Sequence, residues 1–481
     1  MADTTVLAID LGAESGRVMA VHYDGAALRL EELHRFPNVS VTVRGTLFWD
    51  VLRLWNDIQI GIGKGKAHQP ASLGVDTWAI DFGLLDRDGA LLGNVAHYRD
   101  NRTDGMMERV FAQVSKADVF AQTGIQFMPI NTLYQLMSMV EAQSPQLAAA
   151  QTFLTVPDLL NYWMTGAKVC EFSNATTTQL FNPRTGAWAT DLMDALGIPS
   201  RIFPDIVQPG TQLGSYDGVP VIAPATHDTG SAVAGVPAKT PNYAYISSGT
   251  WSLVGLEVPE PVINDAALRA NVTNEGGVYE MYRLLKNVMG LWIVQQCRAT
   301  WQREGRSYGY DELVQLAQDA PLLQSFFNPD DARFLPPGDH PAHVRAWCAE
   351  HGQPAPETHG AIVRSVLESL ALAYWQVIDN LEALSGQTVD VIHVVGGGAQ
   401  NRLLCQMTAD ATGRSVLAGP VEATVLGNAV VQLITLGELR DIAEGRELIA
   451  RTSSLTRYEP QEREAWEEAY GRYQQLVATE R

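Results

Sequence analysis

The sequence has few cysteines, few basic residues and no long apolar run, and each shortage excludes a class of protein. No apolar run approaches the roughly 20 residues that a membrane-spanning helix needs. The first 23 residues also lack the order of a signal peptide, because Asp10, Glu14 and Arg17 interrupt the apolar positions. We therefore expect a cytoplasmic protein without a membrane partner.

Basic residues are outnumbered, at 34 lysines and arginines against 54 aspartates and glutamates, for a formal net charge of −20. This charge disfavours a general nucleic-acid or anionic-membrane binder. Any phosphate must then be held locally, by backbone N–H groups, a metal ion or a few placed side chains.

The four cysteines, Cys170, Cys297, Cys348 and Cys405, lie far apart and form no CxxC pair. This spacing disfavours a zinc or iron–sulfur site built from them. It also indicates a reducing compartment. The sequence alone leaves open whether any two of them form a disulfide.

The chain has 481 residues, of which 46% are hydrophobic, a length and composition typical of two globular domains. Residues 131–142 and 361–384 have helical periodicity, and residues 71–85 predict a pair of buried strands. Strand and helix patterns mix in both halves, which predicts the α/β class.

A linker is predicted at residues 233–242, which contain two prolines. We therefore divide the chain into domains 1–237 and 238–481. Residues 326–357 are rich in proline, aspartate and histidine, and predict a surface excursion with exposed histidines.

Two hairpins with glycine and hydroxyl residues at their tips are predicted, one in each half. Their strands and tips are residues 6–10, 11–16 and 17–23, then 243–247, 248–250 and 251–256. The first tip lacks the Gly-Lys-Ser/Thr of a Walker loop, and the strand-like segment after it does not fit a Rossmann fingerprint. Such a tip can bind a phosphate as a nest of N–H groups, with Asp10 holding Mg²⁺ through water. The alternative is an ordinary tight hairpin that Asp10 caps.

Two further clusters could carry chemistry. In Thr226-His227-Asp228-Thr229-Gly230, the Asp228 carboxylate follows an apolar run and suits a general base. The alternative is that Asp228 caps a helix over 229–236, and the residues alone favour capping. At 391–401 a strand feeds three glycines into a helix start, an arrangement that lets backbone approach a nucleotide phosphate.

Polar residues also interrupt apolar segments elsewhere. Asp76 and Asp81 lie in an apolar strand region and need partners or a ligand. The polar residues of 98–102 are either sugar contacts or part of a solvated loop.

Taken together and in this order, the motifs resemble the FGGY carbohydrate kinases of the actin/hexokinase/Hsp70 superfamily. The resemblance runs over essentially the whole chain and is nearest to the rhamnulokinases. The strings that carry it are DLGAESGR at 10–17, GVDTW at 74–78, YRD at 98–100, GIQF at 124–127, NTLYQL at 131–136, NATTTQL at 174–180, SSGTWSL at 247–253, TNEGG at 273–277, LKNVMGLW at 285–292 and AGPVEA at 418–423.

The resemblance implies two actin-like, ribonuclease H-like lobes that close over a cleft, with sugar mainly on the first lobe and ATP between them. It implies that Asp228 is the proton acceptor, which reverses the preference for capping. It also implies Mg²⁺ as a cofactor. The sequence leaves open whether the protein is a monomer or a homodimer. The implied ATP contacts are Ala13, Glu14, Ser15, Gly16, Arg17, Thr250, Gln295 and Gly397. The implied sugar contacts are Ala79, His227, Asp228, Thr229 and Asn287.

One position departs from the pattern of the resembled family, since Ala79 stands where rhamnulokinases typically have glycine. The resemblance implies phosphorylation of L-rhamnulose at the C1 hydroxyl in L-rhamnose catabolism. The added methyl leaves open another ketose, such as L-fuculose or L-xylulose. The alternative from another functional class is a sensor of the same fold that binds a sugar or nucleotide without catalysis.

Overall fold

The computed structural model describes residues 3–478. The strands are β1 Thr4–Leu11, β2 Ser15–Tyr23, β3 Leu28–Pro37, β4 Ser40–Val43, β5 Thr46–Trp49, β6 Ser72–Thr77, β7 Phe82–Leu85, β8 Thr152–Thr155, β9 Cys170–Glu171, β10 Phe181–Asn182, β11 Ala187–Trp188, β12 Ile206–Val207, β13 Gln212–Tyr216, β14 Val219–Ile222, β15 Tyr243–Ser248, β16 Trp251–Val258, β17 Thr273–Gly276, β18 Tyr282–Met289, β19 Val391–Val395, β20 Ser415–Ala418 and β21 Thr456–Tyr458.

The helices complete a mixed α/β architecture, as predicted. They are α1 Val51–Gly65, α2 Met106–Phe111, α3 Lys116–Thr123, α4 Thr132–Glu141, α5 Pro145–Ala149, α6 Val156–Thr165, α7 Phe172–Ala175, α8 Thr190–Ala195, α9 Asp228–Ala234, α10 Asp265–Ala270, α11 Trp292–Arg303, α12 Tyr310–Gln318, α13 His340–Glu350, α14 His359–Ser385, α15 Arg402–Thr412, α16 Ala423–Thr435, α17 Ile442–Thr452 and α18 Arg463–Ala478. Helices α4 and α14 confirm the two periodic segments.

The chain folds into two compact units. The first contains the chain up to Lys239, together with Glu257–Leu285 and Ala423–Ser453. The second contains Thr240–Leu256, Lys286–Glu422 and the chain from Ser454 onward. The chain thus leaves the first unit close to the predicted linker and returns to it twice. The division of sugar-binding and nucleotide-binding roles between 1–237 and 238–481 stays a prediction.

The first unit is built on a six-stranded sheet with the order β13-β14-β6-β1-β2-β3. Strand β1 pairs antiparallel with β2, which confirms the first hairpin, and parallel with β6. Alternate residues of β1 and β2 pack against α16, among them Val6 and Val21. The intervening residues face α1, where a Cβ on Gly61 would overlap the side chain of Val18. Helices therefore cover both faces of the β1–β2 hairpin.

The second unit has its own sheet, in which β15 lies between β16 and β19. The β15–β16 pairing is antiparallel and confirms the second hairpin, whereas β15 and β19 run parallel. Strands β20 and β21 continue the sheet beyond β19. Helix α14 is long and apolar enough to cross a membrane by composition, but most of its apolar window is buried inside the fold. It is the core helix of this unit.

One prediction about local structure is confirmed in part and another is wrong. The two buried strands predicted at 71–85 are present as β6 and β7, but they do not pair with each other, since β6 joins β1 and β7 joins β8. Residues 326–357 are not a surface excursion, since Phe327, Trp347 and His340 are fully buried. Apolar residues spaced between the polar ones give this segment a core side, against which α11 and α14 pack.

Candidate active site

The proposed base, Asp228, is the first residue of α9, and its side chain is 29% exposed. The residue before the helix, His227, is the N-cap, so Asp228 is not the helix cap. The Asp228 carboxylate accepts hydrogen bonds from the N–H and the hydroxyl of Thr229, at 2.5 and 3.2 Å. Asp228 and its predicted neighbours His227 and Thr229 thus lie together at the start of α9.

Helix α9 is held in place by close packing on α16. A Cβ on Gly427 of α16 would overlap the backbone oxygen of Ser231, and a Cβ on Gly235 would overlap that of Ala423. The two helices therefore approach through backbone rather than side chains. This contact fixes the start of α9, and hence the Asp228 carboxylate, against the sheet of the first unit.

Behind Asp228 lies a buried charged cluster in which only His227 had a predicted role. The His227 ring has Nε2 at 3.4 Å from the Asp228 carboxylate and Nδ1 at 3.3 Å from Glu275 Oε2. Fully buried Arg283 places a guanidinium nitrogen 3.0 Å from His227 Nδ1 and 3.2 Å from the same Glu275 oxygen.

The His227 Nδ1 atom faces both a donor and an acceptor. Arginine has only donors and a carboxylate only accepts, so Nδ1 of a neutral His227 either accepts from Arg283 or donates to Glu275. The signal that sequence reasoning missed was a pair of opposite charges, Glu275 and Arg283, in the adjoining strands β17 and β18.

Carboxylates gather at the ends of β1 and β6. Asp10 and Asp76 are register partners in the parallel ladder, and Arg17 binds Asp10 at 2.8 Å. Burial, and then the charge of Asp10, holds the pKa of Asp76 well above its usual range. Burial raises the pKa of Asp228 as well, with Asp10 adding to the shift and His227 opposing it. The negative charge of Asp10 therefore raises the pKa of both Asp76 and Asp228.

These carboxylates suit a hard divalent cation. One oxygen of Asp76 accepts from Asn428 at 2.6 Å, while its other oxygen, Oδ1, is buried without a hydrogen-bond partner among the described residues. An all-oxygen set with an unsatisfied carboxylate oxygen is what Mg²⁺ requires of a protein, with waters completing its shell. The residues around Asp10 therefore fit the predicted metal.

The first hairpin tip is anchored by Asn38. Its side chain donates to the carbonyl of Gly12 at 3.0 Å, and its backbone N–H donates to the carbonyl of Glu14 at 2.9 Å. Gly16 is required for packing, because a Cβ there would overlap the ring of Phe36. The predicted ATP contacts Ala13, Glu14 and Ser15 lie in or beside this turn.

The predicted sugar contact Ala79 lies in a strained loop between β6 and β7. The positive φ belongs to its neighbour Ile80, a β-branched residue for which this conformation is a genuine outlier. Thr132 donates to the carbonyl of Ile80 at 2.6 Å and stabilises the turn. Ala79 is not among the described residues with positive φ, so its methyl adds no backbone strain.

Hydrogen bonds from three side chains stabilise the buried carboxylate of Asp81. The carboxylate accepts from the indoles of Trp49 and Trp78 at 2.5 and 3.0 Å, and from Gln135 at 2.9 Å. Trp49 also stacks on His97, with ring centroids 3.9 Å apart. Burial raises the pKa of Asp81 to about 6. Asp81 thus needs no ligand, whereas Asp76 keeps one oxygen unpartnered within the described part of the chain.

In the second unit, three predicted ATP contacts gather at the second hairpin tip. The N–H of Trp292, at the start of α11, donates to the carbonyl of Thr250 at 3.1 Å. Gln295 lies in the first turn of α11, and its Oε1 is buried with no hydrogen-bond partner in the described structure. That buried oxygen is available to accept a hydrogen bond from a bound ligand.

The three glycines after β19 have different roles. A Cβ on Gly398 would overlap the side chain of Ser248, and one on Gly396 would lie 3.0 Å from the carbonyl oxygen of Ser248. Those two glycines let the turn pack against the hairpin strand. At Gly397 a Cβ would meet nothing within 4 Å, so this is the glycine with open space beside it. The last predicted site residue, Asn287, lies on β18 and is partly exposed.

The N-terminal domain of the FGGY family of carbohydrate kinases matches residues 5–233, and the C-terminal domain matches residues 244–436. A rhamnulokinase of Bacteroides thetaiotaomicron is 43% identical over 483 residues, covering 98% of this chain and 99% of the relative. A rhamnulokinase of Pectobacterium atrosepticum is 43% identical over 490 residues, covering 100% and 98%.

Solved structures agree on the fold. A gluconate kinase from Lactobacillus acidophilus superimposes with a TM-score of 0.80 at 17% identity, covering 99% of this chain and 98% of the other. A glycerol kinase of Plasmodium falciparum with ADP gives 0.76 at 16% identity, covering 98% and 97%. These likenesses show the two-domain kinase fold, and the sequence relatives show the family. The chain belongs to the FGGY family of carbohydrate kinases.

Proposed function

We propose that this carbohydrate kinase transfers the γ-phosphoryl group of ATP to the C1 hydroxyl of L-rhamnulose, in L-rhamnose catabolism. The observation that carries the proposal is the partly exposed Asp228 carboxylate at the start of α9, beside His227. Full-length relatives at 43% identity that are rhamnulokinases support the choice of sugar.

The chemistry is one displacement at phosphorus. The hydroxyl oxygen of the ketose forms a bond to the γ-phosphorus as the bond to the leaving ADP oxygen breaks, and Asp228 accepts the hydroxyl proton. The raised pKa of Asp228 brings the carboxylate nearer to the range in which it can take a proton at neutral pH. The proposed sugar contacts are His227, Thr229, Ala79 and Asn287.

The nucleotide would be bound mainly by backbone and polar side chains. Ala13 to Arg17 at the first tip, and Thr250, Gln295 and Gly397 in the second unit, are the proposed contacts. Mg²⁺ would be held near Asp10 and Asp76, and when bound it would neutralise charge on the phosphates. The residues of the chain supply positioning and the base, which are the principal needs of phosphoryl transfer.

We place the enzyme in the cytoplasm, where its substrates ATP and ketose occur. The four cysteines are free and buried in the described structure, as a reducing compartment favours. We propose that the protein acts without a nucleic-acid or membrane partner. We also propose that it is a monomer or a homodimer.

The test is ADP release with Mg²⁺ and ATP, measured against L-rhamnulose, L-fuculose, L-xylulose and L-ribulose. We expect the highest kcat/KM with L-rhamnulose. If another ketose gives the higher value, the assigned sugar is wrong, and Ala79→Gly tests whether the added methyl selects it. If no ketose stimulates ADP release, the kinase proposal itself fails.

A further inference from the structure

A second cluster of chemically active side chains lies in the first unit, away from the proposed base. It consists of His22 on β2, Glu31 on β3 and His68 in the short helix Lys66–His68 after α1. One ligand atom from each residue lies within 4.8 Å of the others, the only such group of three found among residues 3–478. We name these three residues the His–Glu–His cluster.

The sheet register places the cluster on one face. Glu31 is the register partner of Ala20, two residues from His22, so the His22 and Glu31 side chains point to the same side of the sheet. That side is the one covered by α1, whose end leads directly into His68. Three separate segments of the chain are therefore brought together at one point.

The distances suit a small tetrahedral cation. His22 Nε2 lies 3.5 Å from one carboxylate oxygen of Glu31, and His68 Nε2 lies 3.7 Å from the other. Zinc with ligands at 2.0–2.1 Å requires ligand atoms about 3.4 Å apart. The two nitrogen–oxygen separations are close to that value but involve different oxygens of Glu31, and the three ligand atoms lie within 4.8 Å of one another. Side-chain rotations must therefore bring the three ligand atoms onto one ion. Both imidazoles point Nε2 at the carboxylate from different directions, with ring centroids 5.2 Å apart.

The hydrogen bonding of His22 supports a ligand role independently. Its Nδ1 is held by the hydroxyl of Thr5 at 2.9 Å, which fixes the ring and directs Nε2 into the cluster. Nε2 is buried and makes no hydrogen bond within the described structure, and the His22 side chain is only 11% exposed.

We propose that the His–Glu–His cluster binds a divalent transition-metal ion, with Zn²⁺ as the best fit, through two imidazole nitrogens and one carboxylate. Two nitrogens and one oxygen are ligands that zinc accepts and that Mg²⁺ does not prefer. The fourth position is left to water. Such an ion would tie the end of α1 to the edge hairpin β2–β3.

The cluster is separate from the proposed catalytic carboxylates. His22 is the register partner of Thr5, five residues along β1 from Asp10, or about 17 Å at 3.4 Å per residue. An ion there would act on the stability of the first unit rather than on the phosphoryl transfer. The proposal therefore does not depend on the proposed function.

One neighbouring charge opposes the ion and provides a sharper test. The Arg29 guanidinium lies 3.4 Å from the Glu31 carboxylate, and its side chain is 67% exposed. It would have to swing into solvent when a cation binds. Removing its charge with Arg29→Gln should therefore tighten metal binding severalfold.

The first experiment is titration of the chelator-treated, full-length protein with Zn²⁺ by calorimetry, and with Co²⁺ by its visible absorption. We expect one ion per chain at this cluster, with the intense absorption of tetrahedral Co²⁺, unaffected by millimolar Mg²⁺. Glu31→Gln and His68→Gln should each weaken binding by about tenfold or more, since each removes a ligand. Both residues are at least one-quarter exposed, so these variants should fold.

The matched control is Glu32→Gln, which changes the exposed carboxylate one residue away, on the other side of the strand and paired with Arg35. It should leave the affinity unchanged. Thermal unfolding gives a second readout: Zn²⁺ should raise the Tm of the unsubstituted protein but not that of His68→Gln. Equal affinities for the unsubstituted protein and for Glu31→Gln and His68→Gln, or no tetrahedral Co²⁺ signal, would overturn the proposal.

Discussion

At the scale of single residues, the environment of Asp228 decides what the proposed site can do. Its carboxylate combines partial exposure, a raised pKa and the nearby ring of His227. Replacing it with asparagine keeps the shape and removes the basicity. We expect Asp228→Asn to lower kcat by roughly 10²–10⁴-fold with the KM for ATP nearly unchanged, measured by coupled ADP release.

The control for this substitution is Asp265→Asn. Asp265 is also the first residue of a short helix, α10, but it is exposed. A general effect of losing a negative charge at a helix start would appear in both variants. Unchanged turnover in Asp228→Asn would remove this residue from the mechanism.

The raised pKa of Asp228 also predicts the pH dependence of the reaction. The base must be deprotonated, and burial followed by the charge of Asp10 raises its folded-state pKa. Activity should therefore fall on acidification at a higher pH than an ordinary aspartate would cause. We expect kcat/KM to rise with pH, with an apparent pKa above that of a solvated aspartate. A flat profile down to the ordinary range would contradict the assigned environment.

At the scale of elements, the contact between α9 and α16 controls where the base lies. A Cβ on Gly427 would overlap the carbonyl oxygen of Ser231, and backbone cannot move aside cheaply. We expect Gly427→Ala to destabilise the protein by about 1–3 kcal/mol. It should also lower kcat/KM, because α9 carries Asp228. Thermal unfolding and the kinase assay measure the two effects.

The matched control is Gly471→Ala in α18, where an added Cβ would meet nothing within 4 Å. Alanine is the better helix former, so this variant should gain up to about 1 kcal/mol. Similar losses in both variants would mean that glycine itself, rather than the helix contact, matters at Gly427.

At the scale of the whole molecule, thiol labelling tests whether the cysteines are free and buried, without an activity assay. Cys170, Cys297, Cys348 and Cys405 are all free and buried. Burial raises the pKa of Cys348 and of Cys405 to about 12, so neither is a reactive thiolate at neutral pH. We expect a thiol reagent to label almost nothing in the folded protein and four thiols per chain after unfolding without reductant. Fewer than four would reveal a disulfide.

Much of the architecture was predictable because its signals are local. The two hairpins, α4, α14 and the α/β class follow from periodicity and turn residues within short windows. Most site residues came from the family resemblance instead. From residues alone, Asp228 was better explained as a helix cap. The resemblance reversed that preference, and the structure places His227, not Asp228, at the N-cap of α9.

The sequence by itself therefore determined the class of fold, the hairpins and the family. The tertiary structure alone decided which distant segments meet: α16 packs on β1, Asn428 bonds Asp76 across 352 positions of sequence, and Arg283 reaches His227. The physical reason is that periodicity reports which face of an element is buried, but not which partner covers it. Partners are selected by shape and charge across the folded core, where a glycine in one helix and a carbonyl in another must fit together.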